Sequence, residues 1–130
     1  MRTIYIAGPM RGKPQFNFPA FMDADGILTK AGWDTVNPAN HDLEMGFNPV
    51  YMRGTEDELG DFDMLVAAAW DLEMIVRECD AIAMLPGWKG SGGAKAEFTV
   101  ARWLHLDTYT FDRTTPGGLQ PLLGKVTLDV

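Results

Sequence analysis

Two carboxylates interrupt apolar helical stripes in this chain, and each needs a physical reason to be there. Glu97 shares a face with Ala94, Ala101 and Leu104, three, four and seven residues away. Asp71 shares a face with Met64, Ala67, Ala68 and Ile75. An ionised group on a buried stripe is costly unless something compensates it. Glu97 belongs to the stretch GWKGSGGAKAEFTVA, residues 87–101. Its glycines let backbone N–H groups approach a ligand closely, and a helix starting near Gly93 turns its N-terminus toward an anion. That start places Glu97 in the first turn, where the helix dipole favours its charged form. Tyr5 stands three residues before Gly8, and Arg11 and Ser91 supply donors on two separate loops. Two carboxylates at one pocket suit glycosyl chemistry, with one the nucleophile on an anomeric carbon and the other handling the leaving group's proton. Arg11, Ser91 and the loop N–H groups are suited to a phosphate. Trp88 either stacks on a base or packs on the sheet edge.

The elements that position these groups alternate. Thr3–Ala7 reads as a buried strand, and Gly8–Gly12 follows as a tight loop. Asn17 is the expected N-cap of a helix with Pro19 in its first turn and an apolar stripe of Phe21, Ala24, Leu28 and Ala31, stopped by Gly32. Trp33–Val36 is a second strand. Residues 39–60 show no clean period and read as a long irregular insertion or lid, with room for one short helical turn. A helix over 61–78, a strand over 81–85, the Glu97 helix and a strand over 108–111 complete the pattern. The tail, 112–130, includes an expected edge strand over 125–130. Phe16 and Phe18 read as core or helix-staple residues, Asp80 as structural, and Lys89 and Lys95 as positive charges near the pocket or on its rim. Strands alternating with helices predict one α/β domain over 1–130: a three-layer, doubly wound, mostly parallel sheet of four to five strands, flavodoxin-like, with an order beginning 2-1-3. In that order the loops after strands one and three meet at the carboxyl edge, where such sheets bind ligands. Gly8, Met10, Arg11 and Gly12 on one loop, and Trp88, Ser91, Gly92 and Gly93 on the other, are therefore the expected binding residues.

Composition narrows the classes. A chain of 130 residues suits one domain, and 46% hydrophobic residues with four tryptophans exclude a disordered chain. A net charge of −7 argues against a nucleic-acid polymer or a membrane surface as the main partner. It leaves room for a small phosphorylated ligand, which needs only a few local donors. The single cysteine, Cys79, cannot form an internal disulfide and reads as a buried small hydrophobe. His41 and His105 are isolated, with no partners at metal-ligand spacing, so no metal is expected. With no signal-peptide pattern and no apolar run of membrane length, the expected location is the cytoplasm.

Three blocks, YIAGPMRG at Tyr5–Gly12, WDLEMIVRECDAI at Trp70–Ile82 and GSGGAKAEFTVA at Gly90–Ala101, resemble the nucleoside 2-deoxyribosyltransferase family. The resemblance includes its branch of 2′-deoxynucleoside 5′-phosphate N-hydrolases. It implies that Glu97 attacks C1′ of the deoxyribose and forms a covalent intermediate. Asp71 would assist departure of the base, and Tyr5 would position the glutamate or the sugar. Ser91 stands where the monophosphate hydrolases carry a phosphate-binding serine, and Arg11 resembles their phosphate-approaching arginine. The resemblance implies a deoxynucleoside monophosphate as ligand, no cofactor, and a homodimer or larger homo-oligomer. Ala96 and Phe98-Thr99 depart from the residues that usually flank the family glutamate, which keeps open a nucleotide-binding or sensing module without turnover.

Overall fold

Strand β1, Thr3–Ala7, has Ile4 through Ala7 fully buried because it is covered on both faces. The computed structural model describes residues 2–122. β1 pairs in parallel with β2, Asp34–Val36, on one side and with β3, Ala81–Met84, on the other. β3 pairs in parallel with β4, Asp107–Phe111, and β5, Leu119–Pro121, closes the sheet antiparallel to β4. The order is β2-β1-β3-β4-β5, a mostly parallel, flavodoxin-like sheet with helices on both faces. The edge strand expected over 125–130 lies outside the described residues. The antiparallel edge among the described residues is β5, in a part of the tail where no strand was expected.

Alternation along β1 sorts the core. Ile4 and Ile6 face helix α1, Phe18–Lys30, and join Phe21, Ala24 and Leu28. Tyr5 and Ala7 face the other layer, made by α3, Met64–Glu78, and α4, Gly92–Trp103, where they meet Ile75, Phe98 and Ala101. Among the described residues no helix is long and apolar enough to cross a membrane. Asp80 accepts the Thr3 N–H at 2.9 Å and fastens the start of β1.

Three local expectations need correction. Residues 38–44 form a helix of seven residues, α2, Pro38–Glu44, where the expectation was an irregular segment with room for one short helical turn. Asn37 caps it through the Ala39 and Asn40 N–H groups, and Pro38 takes the first helical position that suits its fixed φ. α3 begins at Met64 instead of residue 61, because the Asp63 carboxylate caps the N–H groups of Leu65 and Val66. Asn17 sits at the start of α1 but caps nothing; it is left-handed (φ 62°), and its amide donates to the Pro9 carbonyl at 2.9 Å. Gln15 and Phe16 are also left-handed, at φ 55° and 50°. Such backbone costs about 1–3 kcal/mol per non-glycine residue and persists where surroundings enforce it.

Candidate functional site

The loops after β1 and β3 meet because their strands are neighbours, and a cavity of about 450 Å³ opens where they do. Gly8 is obligatory at the junction, since a Cβ there would lie 2.7 Å from the Leu85 Cβ. The third side comes from residues 39–60, which are tied down. The Gly12 N–H donates to the Gly54 carbonyl at 2.9 Å, and the Gln15 N–H to the Met52 carbonyl at 2.8 Å. Gly54 has φ +95°, and a Cβ there would lie 2.1 Å from the Lys13 carbonyl oxygen. This segment supplies Phe47 and Leu59 to a wall that also holds Phe16 and Phe18, with Phe62 just beyond it in the chain. Phe16 and Phe47 pack edge to face at 5.4 Å, and Phe47 and Phe62 lie 4.8 Å apart. One end of the cavity is thus aromatic, and the other is the glycine turn from Gly90 to Gly93.

Glu97 is on the wall, and its Oε2 accepts the Tyr5 hydroxyl proton at 2.5 Å. Tyr5 is fully buried on β1 and reaches the cavity through this bond. Asp71 projects from α3, and its Oδ1 is buried without a hydrogen-bond partner among the described residues. A third carboxyl, Asp42 of α2, lines the same cavity and is only 7% exposed. Burial raises all three. It pushes Glu97 up to about 8, with the Tyr5 hydrogen bond pulling the other way and the Asp71 charge adding to the rise. Burial, then the Asp42 charge, raise Asp71 to about 7, against a smaller opposing effect of the Tyr5 hydroxyl. Burial alone raises Asp42 to about 6. The Tyr5 phenol is raised well above its ordinary value by burial, then by Glu97 and Asp71.

This corrects the expectation of a charged Glu97 favoured by the helix dipole. α4 starts at Gly92, so Glu97 is its sixth residue. The dipole's influence fades past the first turn, and desolvation decides the protonation state instead. At neutral pH the three carboxyls hold protons between them. Among the described residues, no group of three His, Cys, Asp or Glu side chains is placed to hold a metal ion.

Ser91 caps α4 by accepting the Ala94 N–H at 3.2 Å, which leaves its own proton free to donate. Gly92 and Gly93 are the first two helical residues, so their N–H groups have no acceptor within the helix. Ser91, Gly92 and Gly93 all line the cavity, as do Gly8, Met10 and Arg11. Arg11 is half exposed and pairs with Glu56 at 3.0 Å. Two expected binding residues lie elsewhere. Trp88 is 6% exposed and packs against Phe98 with ring centroids 4.8 Å apart, so it is a core residue and no base platform. Gly12 is spent on its bond to Gly54 and is not on the cavity wall. His41 stacks on Trp70 with 3.7 Å between ring centres.

Asp42 was missed because its helix was missed. The signal was present: Asn37-Pro38 is a cap followed by a first-position proline, and Ala39 and Asp42, three apart, share the buried side of the turn that follows.

Comparison with known protein families gives a match to a domain of unknown function (DUF4406), over residues 2–72 and 68–110. Together the two stretches span 2–110, which holds every group on the cavity wall. A comparison with curated proteins returned no match.

Proposed function

We propose that this chain, which belongs to the DUF4406 family, cleaves or transfers the N-glycosidic bond of a 2′-deoxynucleoside, held as its 5′-monophosphate. The observation that carries the reading is the buried Glu97–Tyr5 hydrogen bond on a cavity wall shared with Asp71, whose Oδ1 is buried without a partner among the described residues. Glycosyl transfer needs one carboxylate and one carboxylic acid in the same site, and a desolvated cluster whose members share protons supplies both. Glu97 as carboxylate attacks C1′, the C1′–N bond breaks, and the base leaves with the proton carried by Asp71. The Tyr5 hydroxyl steadies the Glu97 carboxylate before attack and again as it is released from C1′. Water, or a second base, then attacks C1′. It gives its proton to Asp71 and frees Glu97, so protons and electron pairs balance over the cycle.

The glycine end is suited to the phosphate. The Ser91 hydroxyl and the free N–H groups of Gly92 and Gly93 surround the start of a helix of 12 residues. Arg11, on the opposite loop, is the cation that can turn from Glu56 to the ligand. The aromatic end is suited to the base. An assembly of two or more copies belongs to this reading as well, and α3 offers it exposed apolar side chains at Leu65, Val66 and Val76; sedimentation measures it.

One feature favours a binding or sensing module instead: burial raises the Glu97 carboxyl to about 8, which disfavours the carboxylate that attack requires. Incubation with each 2′-deoxynucleoside and its monophosphate, with free base followed by chromatography, separates the two. Base release that disappears in Glu97→Gln is the expected result. Tight binding with the ligand recovered intact supports the module, and release that survives Glu97→Gln refutes the mechanism.

A further inference from the structure

Five side chains on the cavity wall carry hydrogen-bonding heads: Arg11, Asp42, Asp71, Ser91 and Glu97. The two that are donors, Arg11 and Ser91, belong to the loop after β1 and to the start of α4. With Glu97 assigned to the sugar, the wall formed by α2 and α3 presents carboxyl groups alone. Asp42 is 7% exposed as a residue, and its carboxyl lines the cavity. Asp71 Oδ1 is buried and has no donor among the described residues. Buried carboxyl oxygens without donors carry an uncompensated desolvation cost, which a ligand rich in N–H groups removes on entering. Phe47 and Phe16 also line the cavity and give a planar ring apolar surface to pack on.

We propose that Asp42 acts with Asp71 to read the nucleobase, selecting one with an exocyclic amino group (adenine, cytosine or guanine) over thymine and uracil. The inference rests on the nucleoside reading above. Two carboxyls present four oxygens and, when they share a proton, one donor. An exocyclic amino group supplies two N–H bonds to those oxygens. The Watson–Crick edge of thymine and uracil instead places a carbonyl oxygen on each side of a single N–H. At least one of those oxygens then faces a carboxylate oxygen, and the contact is repulsive. A site built of acceptors therefore discriminates by leaving wrong partners unpaired, a stronger filter than shape alone.

The test is calorimetric titration of dAMP, dCMP, dGMP, dTMP and dUMP into the full chain and into Asp42→Asn, with base release followed in parallel. At least one amino-bearing nucleotide binds about tenfold or more tightly than dTMP and dUMP, and Asp42→Asn, which swaps one acceptor for an amide donor, shrinks or reverses that gap. Asp42→Ser, which removes the carboxyl altogether, serves as the second variant if the amide fails to fold, and circular dichroism confirms folding of either. Equal binding of all five, a preference for dTMP or dUMP, or a gap unchanged in both folded variants overturns the inference while leaving the nucleoside reading in place. Failure of that reading looks different: none of the five nucleotides binds, and base selection falls with it.

Discussion

Replacing Glu97 by glutamine should make the protein more stable, and increasingly so as pH rises. The side chain is buried, so folding must keep its carboxyl neutral or accept a desolvated charge. Its value rises from an ordinary 4.5 to about 8 in the folded chain. A carboxyl raised on folding contributes stability that is fully present below about pH 4.5 and lost as pH climbs through the folded value. Over that span of about 3.5 pH units, at about 1.4 kcal/mol each, the loss approaches about 5 kcal/mol above pH 8. Glutamine keeps the shape and can still accept the Tyr5 hydroxyl proton, but it never ionises. The assay is urea denaturation of both proteins at intervals from pH 4.5 to 9, read as the difference in unfolding free energy. That difference cancels the titration of groups remote from the cavity. It should be near zero at pH 4.5, grow through pH 6 and 7, and level off above pH 8 in favour of Glu97→Gln. Asp71 and Asp42 titrate in the same window and spread the curve. A difference that stays flat with pH, or that favours the wild type at pH 8, refutes the claim that Glu97 is held desolvated. A gain in stability on replacing Glu97 is what a site that keeps an ionisable group buried at a cost in stability should show.

Other perturbations read other parts of the site. Gly8→Ala forces a Cβ to within 2.7 Å of the Leu85 Cβ; it should cost about 1–3 kcal/mol, seen as a lowered melting temperature, and an unchanged melt would mean that the β1 and β3 loops do not approach as described. Arg11→Ala should weaken a deoxynucleoside monophosphate by about tenfold while leaving the free nucleoside unaffected, and calorimetry with both ligands distinguishes that from a general loss. Its exposed pair with Glu56 contributes little to stability, so the melt should hold. Burial, then Asp80 and Glu78, push the Cys79 thiol up to about 12. Alkylation at pH 8 should therefore be slower by about a hundredfold or more in the native protein than in urea, and equal rates would place the thiol in solvent.

Much of the frame was legible along the chain because it is written in neighbours. Largely apolar runs at 3–7 and 81–85 marked the central strands. The alternation of strands with helices led to the observed 2-1-3 order, and the order brings two glycine-bearing loops to one edge. Stripes at helical spacing exposed Asp71 and Glu97 as charges in the wrong surroundings. Where a short-range signal was misread, as at Asn37-Pro38, a whole helix and its carboxyl were lost with it. Where a residue had two plausible environments, as Trp88 did, nothing nearby could choose between them, and packing against Phe98 settled it.

From the sequence alone came four of the strands, the three long helices, their order and the two carboxylates, since hydrophobic period, caps and glycine turns act over a few residues. Only the tertiary structure decided the protonation of those carboxylates and the company they keep. Tyr5 and Glu97 lie 92 residues apart, yet share a hydrogen bond. Asp42 arrives from a third element to face Asp71, and residues 39–60 close the wall around them. Desolvation and charge pairing depend on distances between elements remote in the chain, and no local pattern encodes those distances.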